Sequence, residues 1–193
     1  MRLPLAAAVA LSSLLAGCLG PRVDSSRYFT LAATGPEVAA GAPVASVGIG
    51  PLTLPPYLSR PEVATRIGPD QLAYATNDRW AAPLEDLAVQ ALSEGLCARL
   101  PARDVVRWPW PLGSPPDVAA SVEILRFEGD ATGGATIEAR WVVTARGRPP
   151  VRGQTTRHEP GAPGDVPGSV AALGRALGAV AADLAAAART AGG

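Results

Sequence analysis

Two long stretches in the second half of the chain, residues 118–124 and 137–145, alternate apolar residues with polar or small ones. A period of two places successive side chains on opposite faces of a β-strand, so one face of each strand is expected to be buried. The glycine-rich segment GDATGGA, residues 129–135, separates the two stretches. The pattern therefore predicts an antiparallel hairpin with this segment as its connecting loop.

Two other stretches repeat apolar residues every three or four positions, which is the period of an amphipathic helix. The first covers residues 83–99. The second follows a Pro/Gly loop at residues 159–167 and runs from Ser169, the expected N-cap, to about Arg189. Its alanine-rich surface permits close packing on a sheet or on a neighbouring subunit.

Residues that favour strands concentrate in several shorter segments. These segments are 27–32, 44–54, 62–67, 71–76 and 104–107, and residues 152–158 have the composition of a polar edge strand. Gly68-Pro69-Asp70 forms a good hairpin turn between two of them. A chain of 193 residues suffices for one ordinary domain. The elements together predict an α+β fold: a single domain with a mixed, mainly antiparallel sheet and two main helices packed on it.

The N-terminal sequence MRLPLAAAVALSSLLAGC has the layout of an export signal. A positive charge precedes an apolar run, and Ala16 and Gly17 are the small residues required before cleavage. The run is shorter than the roughly 20 apolar residues of a membrane-spanning helix. The sequence Leu15-Ala16-Gly17-Cys18 resembles a bacterial lipobox. This resemblance implies a signal peptide at residues 1–17 and a lipid attached to the Cys18 thiol.

The mature chain is expected to consist of a tether at residues 18–26 and a domain at residues 27–190. The eight residues after Cys18 extend over at most about 25 to 30 Å, so the domain must lie close to the membrane. Two or more acyl chains make such an anchor stable. Leu19 replaces the Asp that often retains enterobacterial lipoproteins on the inner membrane. This favours the periplasmic face of the outer membrane.

The composition argues against several classes of function. The chain has 17 basic residues, all of them arginine, and 17 acidic ones, so nucleic acid is not expected as a partner. The single histidine, His158, lies on the polar edge strand without a serine motif, so we expect no catalytic residues and no enzyme. No metal site is predicted, and no cofactor beyond the covalent lipid on Cys18. The second thiol, Cys97, falls in the first predicted helix, where a buried structural role is expected.

Residues 49–67, IGPLTLPPYLSRPEVATRI, resemble the ABC-type transport auxiliary lipoproteins, the PqiC/YmbA-like family. The family pattern is a strand, a Leu-Pro-x-Tyr-Leu-x-Arg-Pro segment and a second strand that ends in arginine. Here the segment is residues 54–61 and the arginine is Arg66. The Tyr-Phe-x-Leu sequence at residues 28–31, the long hairpin and the alanine-rich last helix also fit. The resemblance covers essentially the whole mature chain.

The segment 54–61 is predicted to be a proline-stiffened loop that presents Tyr57, Leu58 and Arg60 to a partner. Its prolines restrict the backbone, so little conformational entropy is lost on binding. Tyrosine and arginine are favoured residues at protein interfaces. In the alternative interpretation, Tyr57 and Leu58 cap the domain's own core and Arg60 pairs with a nearby acid. The residues alone leave both interpretations open.

Trp108 and Trp110 are separated by a proline and are expected on a rigid loop. Their amphipathic rings suit contact with a membrane or a partner. The alternative is that they form a local cap on the domain. Trp80 precedes the first amphipathic helix and is expected in the core.

The resemblance implies a non-enzymatic role beside MCE-domain transport systems, which move lipids between the inner and outer membranes. In these systems an inner-membrane permease with its ATPase and a tube-forming MCE protein span the periplasm. The lipoprotein is expected to dock the far end of the tube at the outer membrane as a ring-shaped homo-oligomer. Two alternatives stay open: a monomeric lipoprotein that binds a lipid or solvent molecule, and a general envelope-integrity lipoprotein.

Overall fold

A computed structural model describes residues 24–35, 44–111 and 113–192. The described residues form one sheet of eight strands, against which two helices pack side by side. This arrangement confirms the predicted α+β fold with a mixed sheet and two main helices in a single domain. The signal peptide, Cys18 and most of the tether lie outside the described residues.

Along the chain, four strands precede each of the two helices. Their order is β1 (Arg27–Phe29), β2 (Val44–Thr53), β3 (Glu62–Gly68), β4 (Gln71–Trp80), α1 (Leu84–Cys97), β5 (Ala102–Arg107), β6 (Val118–Asp130), β7 (Ala135–Ala145), β8 (Val151–Glu159) and α2 (Val166–Gly192). A short 3-10 helix, Pro56–Leu58, lies between β2 and β3. The predicted hairpins β3–β4 and β6–β7 are both present and antiparallel.

β6 is the central strand, and the sheet forks along one of its edges. On the other edge β6 pairs with β7, and β7 pairs with the edge strand β8. On the forked edge, β2 pairs with residues 118–123 and β3 pairs with residues 129–130. β5 lies beyond β2, and β4 and β1 lie beyond β3. Residues 124–128 of β6 therefore lie opposite the gap between the two branches.

Parallel pairing is more extensive than the sequence patterns suggest. Among the described strands, four of the seven pairings are parallel. The antiparallel pairings join neighbours in sequence, and the longest of them are β6–β7 and β7–β8. The parallel pairings join segments that are distant in sequence, and a local alternation of side chains carries no information about such partners.

The core lies between the sheet and the two helices. Alternate residues of the central strands are fully buried there, as the period of two predicts: Val118, Ala120, Val122, Ile124, Ile137, Ala139 and Val143. The helices contribute Leu92 and Leu96 from α1 and Leu173, Leu177 and Leu184 from α2. Burying each large apolar side chain contributes about 1.5 to 3 kcal/mol. Trp80 is 5% exposed and belongs to this core, as predicted.

Helix α2 begins three residues earlier than the sequence analysis expects, so the prediction of Ser169 as N-cap is wrong. The Ser169 hydroxyl instead donates to the carbonyl of Gly133 at 3.1 Å from inside the helix. Asp165 occupies the capping position, where its carboxylate accepts from the backbone N–H of Gly168 at 3.0 Å. The pattern missed this because Pro167 suggests a loop, although proline is tolerated in a first helical turn.

Within the described residues one helix, α2, is long and apolar enough to cross a membrane by length and composition. However, 67% of its apolar stretch is buried inside the domain, which identifies it as the core helix. Gly174 and Gly178 let the chain at residues 31–35 cross closely over it. The Thr34 N–H donates to the Gly174 carbonyl at 3.2 Å, and a Cβ at Gly178 would overlap the backbone of Thr34.

Candidate docking site

The segment 54–61 fills the gap in the forked sheet. It leaves β2, turns through the 3-10 helix beside residues 124–128 of β6, and enters β3. Pro56 opens the short helix, and the backbone N–H of Leu58 donates to the Pro55 carbonyl at 2.9 Å. The fork itself therefore places the proline-rich loop against the central strand.

Two side chains attach this loop to the domain. Leu58 is 4% exposed and belongs to the core, and Tyr57 packs against the core while remaining half-buried. The Tyr57 carbonyl accepts a hydrogen bond from the Tyr74 hydroxyl of β4 at 3.0 Å. The geometry matches the interpretation in which Tyr57 and Leu58 cap the domain's own core.

A buried carboxylate lies beneath the loop. The side chain of Glu128, on β6, is completely inaccessible to solvent, and its Oε1 accepts from the Nε of both Arg66 and Arg126. The Arg126 Nε lies 2.7 Å from this oxygen. A buried carboxylate is stable in such a place only when cations and donors compensate its lost hydration. Arg66 and Arg126 provide that compensation.

The cluster changes the proton affinity of two groups. Burial alone would raise the pKa of Glu128, but hydrogen bonds from Arg66 and Arg126 lower it below its usual value. Burial, together with the negative charge of Glu128, raises the pKa of Tyr57 to about 12. Glu128 is therefore charged and Tyr57 is neutral at neutral pH. The contact between the two side chains helps to hold the loop in place.

Arg60 is the exposed member of the predicted set. Its side chain is 58% exposed, its Nε donates to Glu62 at 3.2 Å, and its guanidinium lies 4.4 Å from the ring centre of Tyr74. The predicted pairing with a nearby acid is thus present. The exposed guanidinium edge stays accessible, and the stacking on Tyr74 limits its motion.

A groove of about 460 Å³ runs beside the loop. The first turn of α1 forms its opposite wall, with Pro83, Leu84 and Glu85, and Trp80 contributes to its lining. Arg60 on one side and Glu85 on the other place opposite charges around an apolar floor. Such a groove can accept a side chain of a partner chain.

Trp108 and Trp110 lie together over β2. Their rings meet edge to face with centroids 4.8 Å apart, and Trp108 is 48% exposed. A Cβ at Gly48 would come within 2.6 Å of Trp110, and one at Gly50 would overlap Trp108. The two glycines therefore provide the space in which the indoles rest, while half of one ring faces solvent.

Trp108 borders a second and larger groove of about 920 Å³ between α1 and the β2–β5 branch. Glu85 lines both this groove and the one beside the loop. The structure therefore brings the two predicted contact regions to the same end of α1. Cys97 also lines the larger groove, so it is partly accessible rather than fully buried as expected, although burial raises the pKa of its thiol.

His158 lies on the polar edge strand, as predicted. Its Nε2 is 2.7 Å from the carboxylate of Asp130, and its side chain is 56% exposed. Burial would raise the pKa of Asp130, but hydrogen bonds from Thr132, His158 and Gly134 lower it to about 2. Within residues 24–35, 44–111 and 113–192, no three His, Cys, Asp or Glu side chains form a group able to hold a metal ion.

The sequence pattern does not predict the cluster around Glu128. The period of two at residues 118–124 would place Glu128 on the helix side, but a register shift between Ile124 and Arg126 places it on the opposite face of β6, where charged residues are usually solvated. Its burial depends on the loop from another part of the chain. The one signal in the sequence is Arg66, because the family pattern places this arginine after the loop.

The described domain has an α+β fold with a forked sheet. It carries a stiff loop, exposed aromatic residues and open grooves, which are features of a protein that binds a partner. A sequence model of the family described as "ABC-type transport auxiliary lipoprotein component" matches residues 29–185. The chain therefore belongs to this family, which confirms the resemblance of residues 49–67. Membership implies a lipoprotein of the cell envelope that is anchored to a membrane and associated with transport.

Solved structures share the fold. The crystal structure of a protein from Xanthomonas campestris, assigned to the DUF330 family, aligns with a TM-score of 0.67 over 86% of this chain and 95% of its own, at 19% identity. The crystal structure of an uncharacterized protein aligns with a TM-score of 0.67 over 83% of this chain and 97% of its own, at 20% identity. The comparison with curated proteins gave no match.

Proposed function

We propose that this protein is a non-enzymatic outer-membrane lipoprotein that docks the periplasmic tube of an MCE/ABC-type lipid-transport system. Its family membership over residues 29–185 is the observation that carries the proposal. The partners are an MCE-domain protein and, through it, the inner-membrane permease and ATPase. The proposal includes a homo-oligomeric ring, in which several copies surround the end of the tube.

The anchor in this proposal is a lipid on Cys18. Five residues lie between Cys18 and Asp24, the first described residue, and the six residue steps span at most about 20 Å. Such a short connection suits a component that must stay against the membrane while a partner arrives from the periplasm. Intact mass spectrometry of protein extracted from native membranes should show an acylated N-terminal Cys18, whereas a free thiol in a freely soluble protein would contradict the anchor.

The docking contact in this proposal is the loop 54–61 with the groove beside it. Leu58 and Tyr57 fix the loop to the core, so binding does not have to order it. Arg60 then presents a guanidinium that suits a carboxylate or an aromatic ring of the partner. Trp108 and Trp110 extend the same contact region.

Charge reversal at Arg60 tests this contact. Arg60→Glu should reduce recovery of the MCE-domain protein when the lipoprotein is purified in detergent from native membranes. Arg175→Glu is the matched control, because Arg175 also pairs with a glutamate, Glu159, at 3.2 Å, but lies on α2. Equal recovery with both variants, in folded protein, would remove the loop from the interface.

A lipid-binding monomer requires a roomy apolar cavity. The groove of about 920 Å³ is open and carries Glu85, Asp86 and Glu94 on its walls. This lining does not suit an acyl chain, so the docking function remains the better interpretation of the site. A general envelope-integrity role without a transporter would be favoured if crosslinking in native membranes found no MCE-domain partner.

A further inference from the structure

One end of the sheet carries two hairpin turns side by side. The β3–β4 turn, residues 67–71, and the β6–β7 turn, residues 130–134, lie at the same end because Arg66 pairs in register with Asp130. We call these two turns the hairpin end. The β7–β8 turn, residues 146–150, lies at the opposite end, about 40 Å away along β6.

The N-terminal end of β1 faces the hairpin end. β1 pairs in parallel with the last residues of β4, from Arg27 opposite Asp78 to Phe29 opposite Trp80. Because β4 starts at the β3–β4 turn, the N-terminal end of β1 faces that turn. The pKa of Arg27 is raised chiefly by its hydrogen bond with Asp78, and also by Asp165, which precedes α2 near the β6–β7 turn.

The available chain length agrees with this direction. From Asp78 back to Gln71, β4 covers about 23 Å, and the nine residue steps from Arg27 to Cys18 cover at most about 30 Å. A lipid on Cys18 can therefore reach the level of the hairpin end and go only slightly beyond it. With the anchor inserted in a bilayer, this length permits the hairpin end to lie at the surface.

The hairpin end has the chemistry of a surface that meets phospholipid. Ile67 is 47% exposed at its tip, where it is available for contact. Beside it is an open pocket of about 610 Å³, which is lined by Arg66, Gly68, Pro69, Arg126, Asp130, Ala131 and Thr132.

The two arginines of this pocket retain unused donors. Each arginine donates a hydrogen bond from Nε to Glu128, and Arg66 donates a further one to the Pro69 carbonyl. Among the described residues, the two terminal nitrogens of Arg126 form no hydrogen bond. Glu128 and Asp130 balance the charge of the two guanidiniums, and the guanidinium donors that stay free fit the oxygens of a phosphate. The carboxylate of Asp130 is already engaged by Thr132, Gly134 and His158.

We propose that the hairpin end lies on the bilayer and that Arg66 and Arg126 bind the phosphate of an anionic phospholipid there, with Ile67 inserted beside it. The inference deepens the proposed function, because it rests on the lipid anchor at Cys18. It assigns a role to Arg66, the arginine of the family pattern. It also orients the domain, with the β7–β8 turn pointing away from the membrane.

A fluorescent label on the full-length lipidated protein in vesicles tests the orientation. In a Cys97→Ser background, Gln71→Cys places the label at the hairpin end and Arg148→Cys places it at the opposite end. Nitroxide lipids labelled at the headgroup should quench the label at position 71 severalfold more than the label at position 148. Equal quenching, or stronger quenching at position 148, would overturn the proposal.

The phosphate contact is tested by the lipid composition. Adding phosphatidylglycerol to phosphatidylcholine vesicles should increase quenching at position 71, and Arg126→Gln should raise the phosphatidylglycerol fraction required by roughly fivefold, as expected for one basic residue at an anionic surface. Arg152→Gln, on β8, is the control and should change nothing. An equal shift in the control would show a general charge effect and overturn the contact.

Two further measurements separate the remaining outcomes. Ile67→Asp leaves the Glu128 cluster intact and should also reduce quenching at position 71; no reduction would overturn the insertion of Ile67. Inorganic phosphate that abolishes the phosphatidylglycerol effect at constant ionic strength would identify a site for free anions instead of lipid. Absence of the MCE-domain protein from the purified wild-type lipoprotein, with normal quenching, contradicts the docking function alone, whereas normal recovery with reversed quenching contradicts this inference alone.

Discussion

The loop 54–61 and the tryptophan pair are both stiffened by proline, but the domain supports them differently. The loop is fixed from below by Leu58 in the core and by the buried Glu128 cluster. Trp108 and Trp110 rest on two glycines of β2 and leave half of one ring exposed. One region is therefore a rigid, charged contact, and the other is an exposed aromatic surface.

The difference shows that a proline-rich segment does not by itself define a binding site. In the loop, Tyr57 and Leu58 pack on the domain's own core and are not available to anchor a partner. Arg60 remains on the surface. In the tryptophan pair, Trp108 is both stiff and accessible. A partner can then gain charge complementarity from the first region and apolar burial from the second.

The largest expected effect comes from removing the carboxylate beneath the loop. Glu128→Ala leaves Arg66 and Arg126 without their shared partner, and breaking a buried ion pair costs about 3 to 5 kcal/mol. The free energy of unfolding, measured by denaturant titration, should fall by this amount. Glu123→Ala is the control on the same strand, because its exposed pair with Arg140, at 3.9 Å, should contribute less than about 1 kcal/mol.

A smaller effect is expected from closing the space under the indoles. Gly48→Ala would bring a Cβ within 2.6 Å of Trp110, and such overpacking costs about 1 to 3 kcal/mol. Tryptophan fluorescence should change together with stability while the loop stays in place. Gly68→Ala, where the nearest atom is 3.6 Å away, should do neither. If Gly48→Ala changed neither the stability nor the tryptophan fluorescence, the indoles would not be held by β2.

The smallest effect concerns the pH dependence of the loop. Because the pKa of Tyr57 rises to about 12 in the folded protein, folding favours its neutral form. The corresponding stability is fully present below the usual tyrosine pKa near 10 and is lost as the pH rises toward about 12. Tyr57→Phe should flatten the decline in stability over this range. An unchanged decline would show that Tyr57 does not lie against Glu128.

The sequence predicts the parts of the fold that depend on local patterns. The β6–β7 hairpin and α1 follow from the periods of their apolar residues, because each buries one face against the core. The fork could not be foreseen, since β2 and β3 pair with β6 through parallel contacts between distant segments. The sequence does not predict the N-cap at Asp165, because Pro167 and Gly168 are residue types typical of a loop.

The candidate site was predictable to a similar extent. The pattern of residues 54–61 identified the loop, but the side chains that support it come from β3 and β6. Burial of Glu128 is a consequence of tertiary structure, because the same residue would be solvated without the loop above it. The sequence could therefore name Tyr57, Leu58 and Arg60 and leave open which of them faces outward.

Photo-crosslinking in native membranes tests the docking function most directly. A photoreactive residue in place of Arg60, in the full-length lipidated protein, should form a covalent adduct with an MCE-domain protein that mass spectrometry can identify. The same residue in place of Arg175, on α2, should not. Adducts of equal yield from both positions, or none from position 60 while the protein remains folded and lipidated, would contradict the docking function.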